Sequence, residues 1–261
     1  MHEITALNKF QPYIDKAIKE CQGLSFAEKT QGLWTEPEIV EYFSRMPSEE
    51  PIECLALTLK EILSDLNNKK ILCIGGGTGK LGRRIAALYP GVYVTEIDSS
   101  KEMVQQANAL AFKEALGDRF VSIEANANLL PFNDNEYNYA IAYGVFRYID
   151  SSDYKKTLSE ISRVTNRNFT IAESILRELI YTLKDSFALN EYSIKETTVS
   201  MFRVSLFYML FKEYKRNNDF KILIDGEIEN GINAIEALTS VAGMASGILY
   251  ELRVCNRPIY F

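Results

Sequence analysis

The chain has 261 residues, a length that suits one large α/β domain with insertions or two small domains. Apolar residues make up 47% of the sequence and charged residues 25%, which provides for a hydrophobic core and excludes a largely disordered protein. The net charge of −6 argues against nucleic acid as a substrate, and the four cysteines are too widely spaced for a zinc site.

The sequence gives no sign of a membrane or secretory segment. No apolar run approaches the roughly 18 residues that a spanning helix needs. The N-terminal stretch carries charges throughout and has no apolar core, which argues against a signal peptide. We therefore expect a cytoplasmic protein with reduced thiols and no membrane partner.

The first 69 residues read as helical. Apolar residues recur at helical spacing in residues 4–18 and again in residues 52–66. We predict an N-terminal helical cap over 1–69, followed by a second domain over 70–261.

From residue 70 onwards, predicted strands and helices alternate. The predicted strands cover residues 69–75, 92–98, 119–125, 137–144 and 168–174, and the intervening helices cover 79–91, 99–116 and 151–165. This order is typical of βαβ units and a mostly parallel sheet.

The pattern becomes less regular after Glu173. Two amphipathic helices over 175–189 and 197–217 predict a helical insert at about 174–215. Apolar residues then predict a strand over 220–229, and alternating residues predict an antiparallel last strand over 247–256, with a helix between them. The predicted fold class is thus α/β, a doubly wound Rossmann-like sheet of seven strands with an antiparallel last strand.

A glycine-rich turn, Gly75–Gly79, follows the first predicted strand and opens a helix. Such a turn presents free backbone N–H groups and lets a ligand approach the backbone closely. Asp98 ends the next strand, 21 residues after Gly77, where an acid accepts hydrogen bonds from ribose hydroxyls. The two features predict an adenosine-ribose site. A Walker A loop is excluded because Ile74 and Leu81 stand where it needs glycine and Ser or Thr.

Two cofactor classes fit this site. The stretch Gly77–Gly82 matches GxGxxG, and Tyr208 with Lys212 supplies a YxxxK pair, as in NAD(P)-dependent reductases of the extended short-chain type. The other class is S-adenosylmethionine.

Four segments favour S-adenosylmethionine. They are ILCIGGGTG, VTEIDSSKEMVQQA, ANANLLPFNDNEYNYAIAYGVFRYI and LSEISRV, within about residues 71–173. In this order and at these intervals they resemble a class I S-adenosylmethionine-dependent methyltransferase. The resemblance implies methyl transfer from S-adenosylmethionine to a small-molecule acceptor, without a metal ion. It leaves the oligomeric state, the acceptor and the acceptor atom open.

The resemblance also implies roles for individual residues. The glycines lie beneath the methionine and ribose parts of the cofactor, Asp98 holds both ribose hydroxyls, and Met103 packs beside the adenine. Asn126 receives the adenine amino group and Ala127 offers a backbone N–H, while Tyr143 lies near the sulfonium. The implied cofactor-binding residues are Gly75, Gly77, Gly79, Asp98, Met103, Asn126, Ala127 and Tyr143.

Tyr143 and Glu173 are the catalytic candidates. An aromatic face stabilises a sulfonium as it does other cations, and Phe146 and Tyr148 extend the possible ring-lined pocket. Glu173 follows the fifth strand and is a candidate to deprotonate an amine or hold a substrate cation. We also consider Trp34 a candidate for a cap that closes on the cofactor.

The chain departs from the family pattern at four places, one of which is the turn before the fifth strand, where Asn166, Arg167 and Asn168 stand in place of the usual Lys-Pro-Gly-Gly. Cys73 replaces an acid two residues before the first glycine, Glu96 replaces a glycine before Asp98, and Asn138 replaces an aspartate of the fourth strand. These departures indicate a divergent member. They keep open a non-catalytic protein that binds S-adenosylmethionine.

Overall fold

A computed structural model of the protein describes most of the chain. The described residues are 8–20, 22–24, 26–30, 32–46, 50–63, 65–165, 168–172, 198–226 and 233–242. Within these ranges, no helix combines the length and apolarity needed to cross a membrane.

Helices and strands alternate through the middle of the chain, as predicted. The helices are α1 Gln11–Glu20, α2 Phe26–Thr30, α3 Pro37–Arg45, α4 Glu50–Ile62, α5 Lys80–Leu88, α6 Lys101–Lys113, α7 Tyr154–Thr165, α8 Thr198–Arg216, α9 Asn218–Asp225 and α10 over 234–242. The strands are β1 Lys69–Ile74, β2 Val92–Asp98, β3 Phe120–Glu124, β4 Tyr139–Tyr143 and β5 Phe169–Ala172.

The described residues divide into two compact units. One comprises those of Met1–Gln31 and Thr197–Phe261, and the other comprises those of Gly32–Glu196. The sheet lies entirely in the second unit, together with helices α3 and α4. The predicted division into a cap over 1–69 and a domain over 70–261 stays a prediction.

The sheet has five strands in the order β3-β2-β1-β4-β5, and all of its pairings are parallel. The order reverses at β1, whose neighbours are β2 and β4. Ligands bind outside the carboxyl ends of the strands at such a switch point. The α/β Rossmann-like fold with a parallel sheet is thereby confirmed.

Buried side chains on both central strands and the flanking helices form the core of this unit. Ile71 and Cys73 of β1 pack with Ile85 of α5, and residues of α4 join the same cluster. Ile52, Ala56 and Leu59 lie on one face of α4 because their spacings of four and three residues match a helical turn.

One predicted strand is wrong. The apolar residues within 220–229 predict a strand, but helix α9 covers Asn218–Asp225. The side chain of Asn217 caps this helix by accepting hydrogen bonds from the N–H groups of Asp219 and Phe220. Phe220 and Ile224, four residues apart, are buried, whereas Ile222 between them is 62% exposed. This burial pattern follows the four-residue spacing of a helix and not the two-residue spacing of a strand.

The other predictions for the chain after β5 have mixed outcomes. The predicted helices over 197–217 and 232–243 are confirmed in the described residues by α8 and α10. The predicted helix over 175–189 and the predicted antiparallel strand over 247–256 lie outside the described residues. Five parallel strands are described, and the predicted count of seven is not reached within them.

A buried carboxylate joins α1 to α8 in the first unit. Glu213 is 3% exposed, and its two oxygens each lie 2.9 Å from Lys16 Nζ. Arg216 and Asn217 donate to the same carboxylate at 2.6 and 2.8 Å. Burial raises the pKa of Glu213, but these three donors outweigh it and lower the pKa to about 2.

We predict that Glu213→Gln lowers the free energy of unfolding by about 1–3 kcal/mol at pH 7, because it removes a buried, charge-assisted acceptor. A carboxyl whose folded pKa is depressed stabilises the fold above its unfolded pKa of about 4.3. The difference should therefore shrink as the pH falls from about 4 towards 2. Urea unfolding at several pH values measures it.

Glu61→Gln, an exposed change on α4, is the control for the Glu213 substitution and should leave stability unchanged. Equal stability of Glu213→Gln and the wild-type protein at pH 7 would contradict a stabilising role of this network.

Candidate functional site

A cavity of about 500 Å³ lies at the carboxyl edge of the sheet, within the second unit. Its walls come from the glycine turn after β1, the end of β2, the turn after β3 and the segment after β4. Residues from before the sheet, among them Trp34, Phe43 and Ile52, complete it. Its volume is in the range of pockets that hold cofactors and small molecules.

The glycine turn is held against β2 by its own backbone. The N–H of Gly76 donates to the carbonyl of Ile97 at 3.1 Å, and the N–H of Gly77 donates to Asp98 Oδ2 at 2.9 Å. Gly77 has φ = 61°, a left-handed conformation that favours glycine. The bare backbone of this turn therefore forms the floor of the cavity.

Asp98 links this turn to the start of α6. Its Oδ1 accepts the N–H of Ser100 at 2.9 Å, and its Oδ2 accepts the N–H of Gly77. Burial raises the pKa of Asp98, while backbone donors at Ser100, Gly77 and Ser99 act in the opposite direction. Each carboxylate oxygen accepts about two hydrogen bonds, so both retain capacity for a ligand hydroxyl.

Met103, Asn126 and Ala127 line the cavity together with Asp98. Met103 is buried in the first turn of α6, where Ser100 Oγ accepts its N–H at 3.1 Å. Asn126 Oδ1 already accepts the N–H of Asn128 at 3.1 Å, and an amide oxygen has a second lone pair for another donor.

An aromatic wall, defined by Trp34, Phe43 and Tyr148, faces the cavity. The Trp34 ring centroid lies 5.1 Å from that of Phe43 and 5.4 Å from that of Tyr148, both edge to face. Ser100 Oγ donates to the carbonyl of Trp34 at 2.7 Å, which ties the wall to the residues that follow Asp98.

The structure brings together most, but not all, of the predicted site residues. Gly75, Gly77, Asp98, Met103, Asn126, Ala127 and Tyr143 line the cavity. Gly79 does not, because it faces inward: a Cβ there would lie 3.0 Å from Phe120 and 3.1 Å from Ala107. Glu173 lies outside the described residues.

The rings after β4 separate into two groups. Tyr143 and Tyr148 line the cavity, whereas Phe146 is fully buried against the ring of Tyr154. Phe43 was not predicted, since no motif contains it. Only its aromatic character, nine residues after Trp34, could have drawn attention to it.

Charged groups of both signs also line the cavity. They are Lys80, Asp98, Arg147, Asp150 and Asp153. The Cys73 thiol at the floor is neutral, because burial above all, and the nearby Glu96, raise its pKa. No cluster of metal-ligating side chains was found among the described residues.

Comparison with known proteins identifies the part of the chain that forms this site. Residues 71–168 match the model of a family described as a methyltransferase domain. A relative from Allorhizobium ampelinum, named ubiquinone/menaquinone biosynthesis C-methyltransferase UbiE, is 33% identical over 120 residues. Residues 71–168 are therefore a methyltransferase domain of the class I S-adenosylmethionine-dependent type.

The similarity of this methyltransferase to its curated relatives is partial. The Allorhizobium match covers 45% of each chain. A protein of the same name from Brucella abortus is 39% identical over 95 residues, covering 36% of this chain and 34% of that protein. The chain thus spans less than half the length of these relatives.

Two solved structures share the fold. The [4+2]-cyclase SpnF has a TM-score of 0.52 at 17% identity and covers 82% of this chain and 80% of its own. Magnesium protoporphyrin IX methyltransferase from Synechocystis PCC 6803, with bound S-adenosylmethionine, has a TM-score of 0.51 at 14% identity, covering 63% and 86%.

We predict that Asp98→Ala weakens binding of S-adenosylhomocysteine at least tenfold, because hydrogen bonds to a charged group contribute about 1.5–3 kcal/mol each. Isothermal titration calorimetry measures the affinity. Asp118→Ala, an exposed change in the turn before β3, should bind like the wild-type protein. Unchanged affinity in folded Asp98→Ala would show that the ribose lies elsewhere.

Proposed function

We propose that the protein transfers a methyl group from S-adenosylmethionine to a small, partly apolar acceptor. One observation carries the proposal most: Asp98, at the carboxyl end of β2, accepts a hydrogen bond from Gly77 and faces the cavity. A bare glycine backbone beside a half-buried carboxylate suits a nucleoside whose ribose hydroxyls need acceptors.

The residues at the cavity fit S-adenosylmethionine. In this proposal Asp98 holds the ribose, Gly75 and Gly77 lie beneath the ribose and methionine parts, and Met103 packs beside the adenine. Asn126 and Ala127 supply polar groups for the adenine edge. Gly79 supports the site indirectly, by allowing close packing against Phe120. When bound, S-adenosylmethionine supplies a methyl group activated by a positively charged sulfur.

The aromatic wall supports an acceptor that carries a flat apolar group. Trp34, Phe43 and Tyr148 present rings on which such a group would stack and exclude water. The curated relatives are named C-methyltransferases of ubiquinone and menaquinone biosynthesis, which supports testing ring carbons of quinols as acceptor atoms. Positioning the acceptor in line with the methyl group is the main catalytic task of the chain in this proposal.

Two candidate catalytic residues remain proposals. Tyr143 lines the cavity at the end of β4, from where its ring would stabilise the positive sulfur. Glu173 would accept a proton from the acceptor or hold a substrate cation. The division of the chain into a helical cap over 1–69 and a domain with a helical insert at about 174–215 is likewise a proposal.

The reductase alternative receives less support. Tyr208 is buried in α8, and Lys212 Nζ lies 4.5 Å from the centroid of its ring, a packed cation–π pair. Membership in the methyltransferase family favours S-adenosylmethionine over a nicotinamide cofactor. The third alternative, a non-catalytic protein that binds S-adenosylmethionine, is distinguished by the experiment below.

The test combines binding and turnover on the purified protein. We predict that S-adenosylmethionine raises the thermal unfolding midpoint and that NADPH does not, since a ligand at 100 times its Kd stabilises by about 2.7 kcal/mol. S-adenosylmethionine labelled in its methyl group, mixed with phenols, quinols and aliphatic amines, should label an aromatic acceptor.

The outcomes separate the three functions. A shift with NADPH alone would establish the reductase and overturn the methyltransferase. A shift with S-adenosylmethionine but no labelled product from any acceptor class would indicate the non-catalytic binding protein. Labelling of amines alone would contradict the aromatic acceptor while retaining methyl transfer.

A further inference from the structure

The glycine turn rests on a buried carboxyl group that the proposed reaction does not use. Glu96 lies on β2, opposite Cys73 of β1 and Ser122 of β3 in the strand register. Its side chain is fully buried. Glu96 Oε1 lies 3.5 Å from Ser122 Oγ, the long limit of a hydrogen bond, and Oε2 has no hydrogen-bond partner.

This carboxyl group packs tightly against the turn. A Cβ added to Gly76 would lie 1.9 Å from Glu96 Cδ, and a Cβ added to Gly82 would lie 3.0 Å from Glu96 Oε2. The carboxyl group therefore lies between the glycine turn and the first turn of α5. Since Gly76 and Gly77 also bond to the end of β2, any shift of Glu96 would move the floor of the cavity.

Three titratable groups face Glu96, and none of them neutralises a negative charge by direct contact. Cys73 lies on β1 and Asp98 lies further along β2. Arg83 of α5 uses its guanidinium elsewhere: its Nε donates to the carbonyl of Thr78 at 3.3 Å, and its Nη1 bonds to Glu114. An ionised Glu96 would be a buried charge with no ion pair, which is costly.

The pKa of Glu96 agrees with this geometry. Burial, and then the negative charge of Asp98, raise the pKa well above its usual value, while Arg83 and Ser122 act in the opposite direction. The direction of this shift, the burial and the absence of an ion pair all favour the neutral form of the carboxyl group.

We propose that Glu96 is a positioning residue for the cofactor: its neutral carboxyl group supports Gly76 from beneath, and its ionisation at alkaline pH displaces the glycine turn. The cofactor part rests on the proposed function, whereas the support of the turn does not. A carboxyl group here thus makes the cofactor site sensitive to alkaline pH.

Glu96→Gln tests the proposal, because glutamine keeps the shape and remains neutral. Calorimetry with S-adenosylhomocysteine from pH 6 to 9.5 gives the ratio of the wild-type Kd to the Kd of the variant. Titration of the ligand itself affects both proteins equally and cancels. We expect a ratio near 1 at pH 6 that rises to tenfold or more at the alkaline end.

Glu124→Gln is the matched control, since it makes the same chemical change on an exposed side chain of β3. Its Kd should follow the wild-type value at every pH. A Kd of Glu96→Gln that exceeds the wild-type Kd by the same factor at every pH would overturn the proposal, because it would show that Glu96 acts as an anion.

Unfolding without any ligand separates this proposal from the proposed function. A carboxyl with a raised folded pKa contributes most to stability below its unfolded pKa of about 4.3, and that contribution is lost as the pH rises. Wild-type protein should therefore lose stability relative to Glu96→Gln between pH 5 and 9. A constant difference would overturn the neutral carboxyl even if no cofactor bound.

A double-mutant cycle tests the contact itself. Gly76→Ala should weaken S-adenosylhomocysteine binding at least tenfold because its methyl group meets Glu96. Adding Glu96→Ala should restore part of that loss, since it opens the space. Additive effects of the two substitutions would contradict support of the turn by Glu96. If Gly76→Ala does not fold, we expect the double variant with Glu96→Ala to fold. A double variant that also fails to fold would contradict the proposal.

Discussion

The close approach of the glycine turn to the end of β2 is the constraint on which the site depends. Two hydrogen bonds fix it, from Gly76 N–H to Ile97 O and from Gly77 N–H to Asp98 Oδ2. They join the end of β2 to the turn that follows β1, the strand at which the order of the sheet reverses and outside which a ligand binds. Because Gly75, Gly76 and Gly77 carry no side chains, the backbone itself becomes the floor of the cavity.

The same constraint explains how distant parts of the sequence meet. Asp98 accepts the N–H of Ser100, the residue that caps the start of α6, and Ser100 Oγ donates to the carbonyl of Trp34. The aromatic wall is therefore anchored to the residues that hold the proposed ribose. The carboxyl group that the family resemblance expects at Cys73 is absent, but Glu96, its register partner, brings one beneath the turn.

Much of this arrangement could be predicted from the sequence, because local signals specify it. The glycines of the turn, the apolar strands and Asp98 lie at spacings that one βαβ unit imposes. Other features depend on tertiary packing and carry no local signal. The ring of Phe43 contacts that of Trp34, Gly79 packs against Phe120, and Asn218–Asp225 form a helix that Asn217 caps.

The most direct test of the central claim is a crystal structure of the protein with S-adenosylhomocysteine. The account predicts that both ribose hydroxyl oxygens lie about 2.5–3.0 Å from the carboxylate oxygens of Asp98, with the thioether sulfur beside Tyr143. Density for the nucleoside that leaves Asp98 without a ribose contact, or that lies away from the glycine turn, would contradict it.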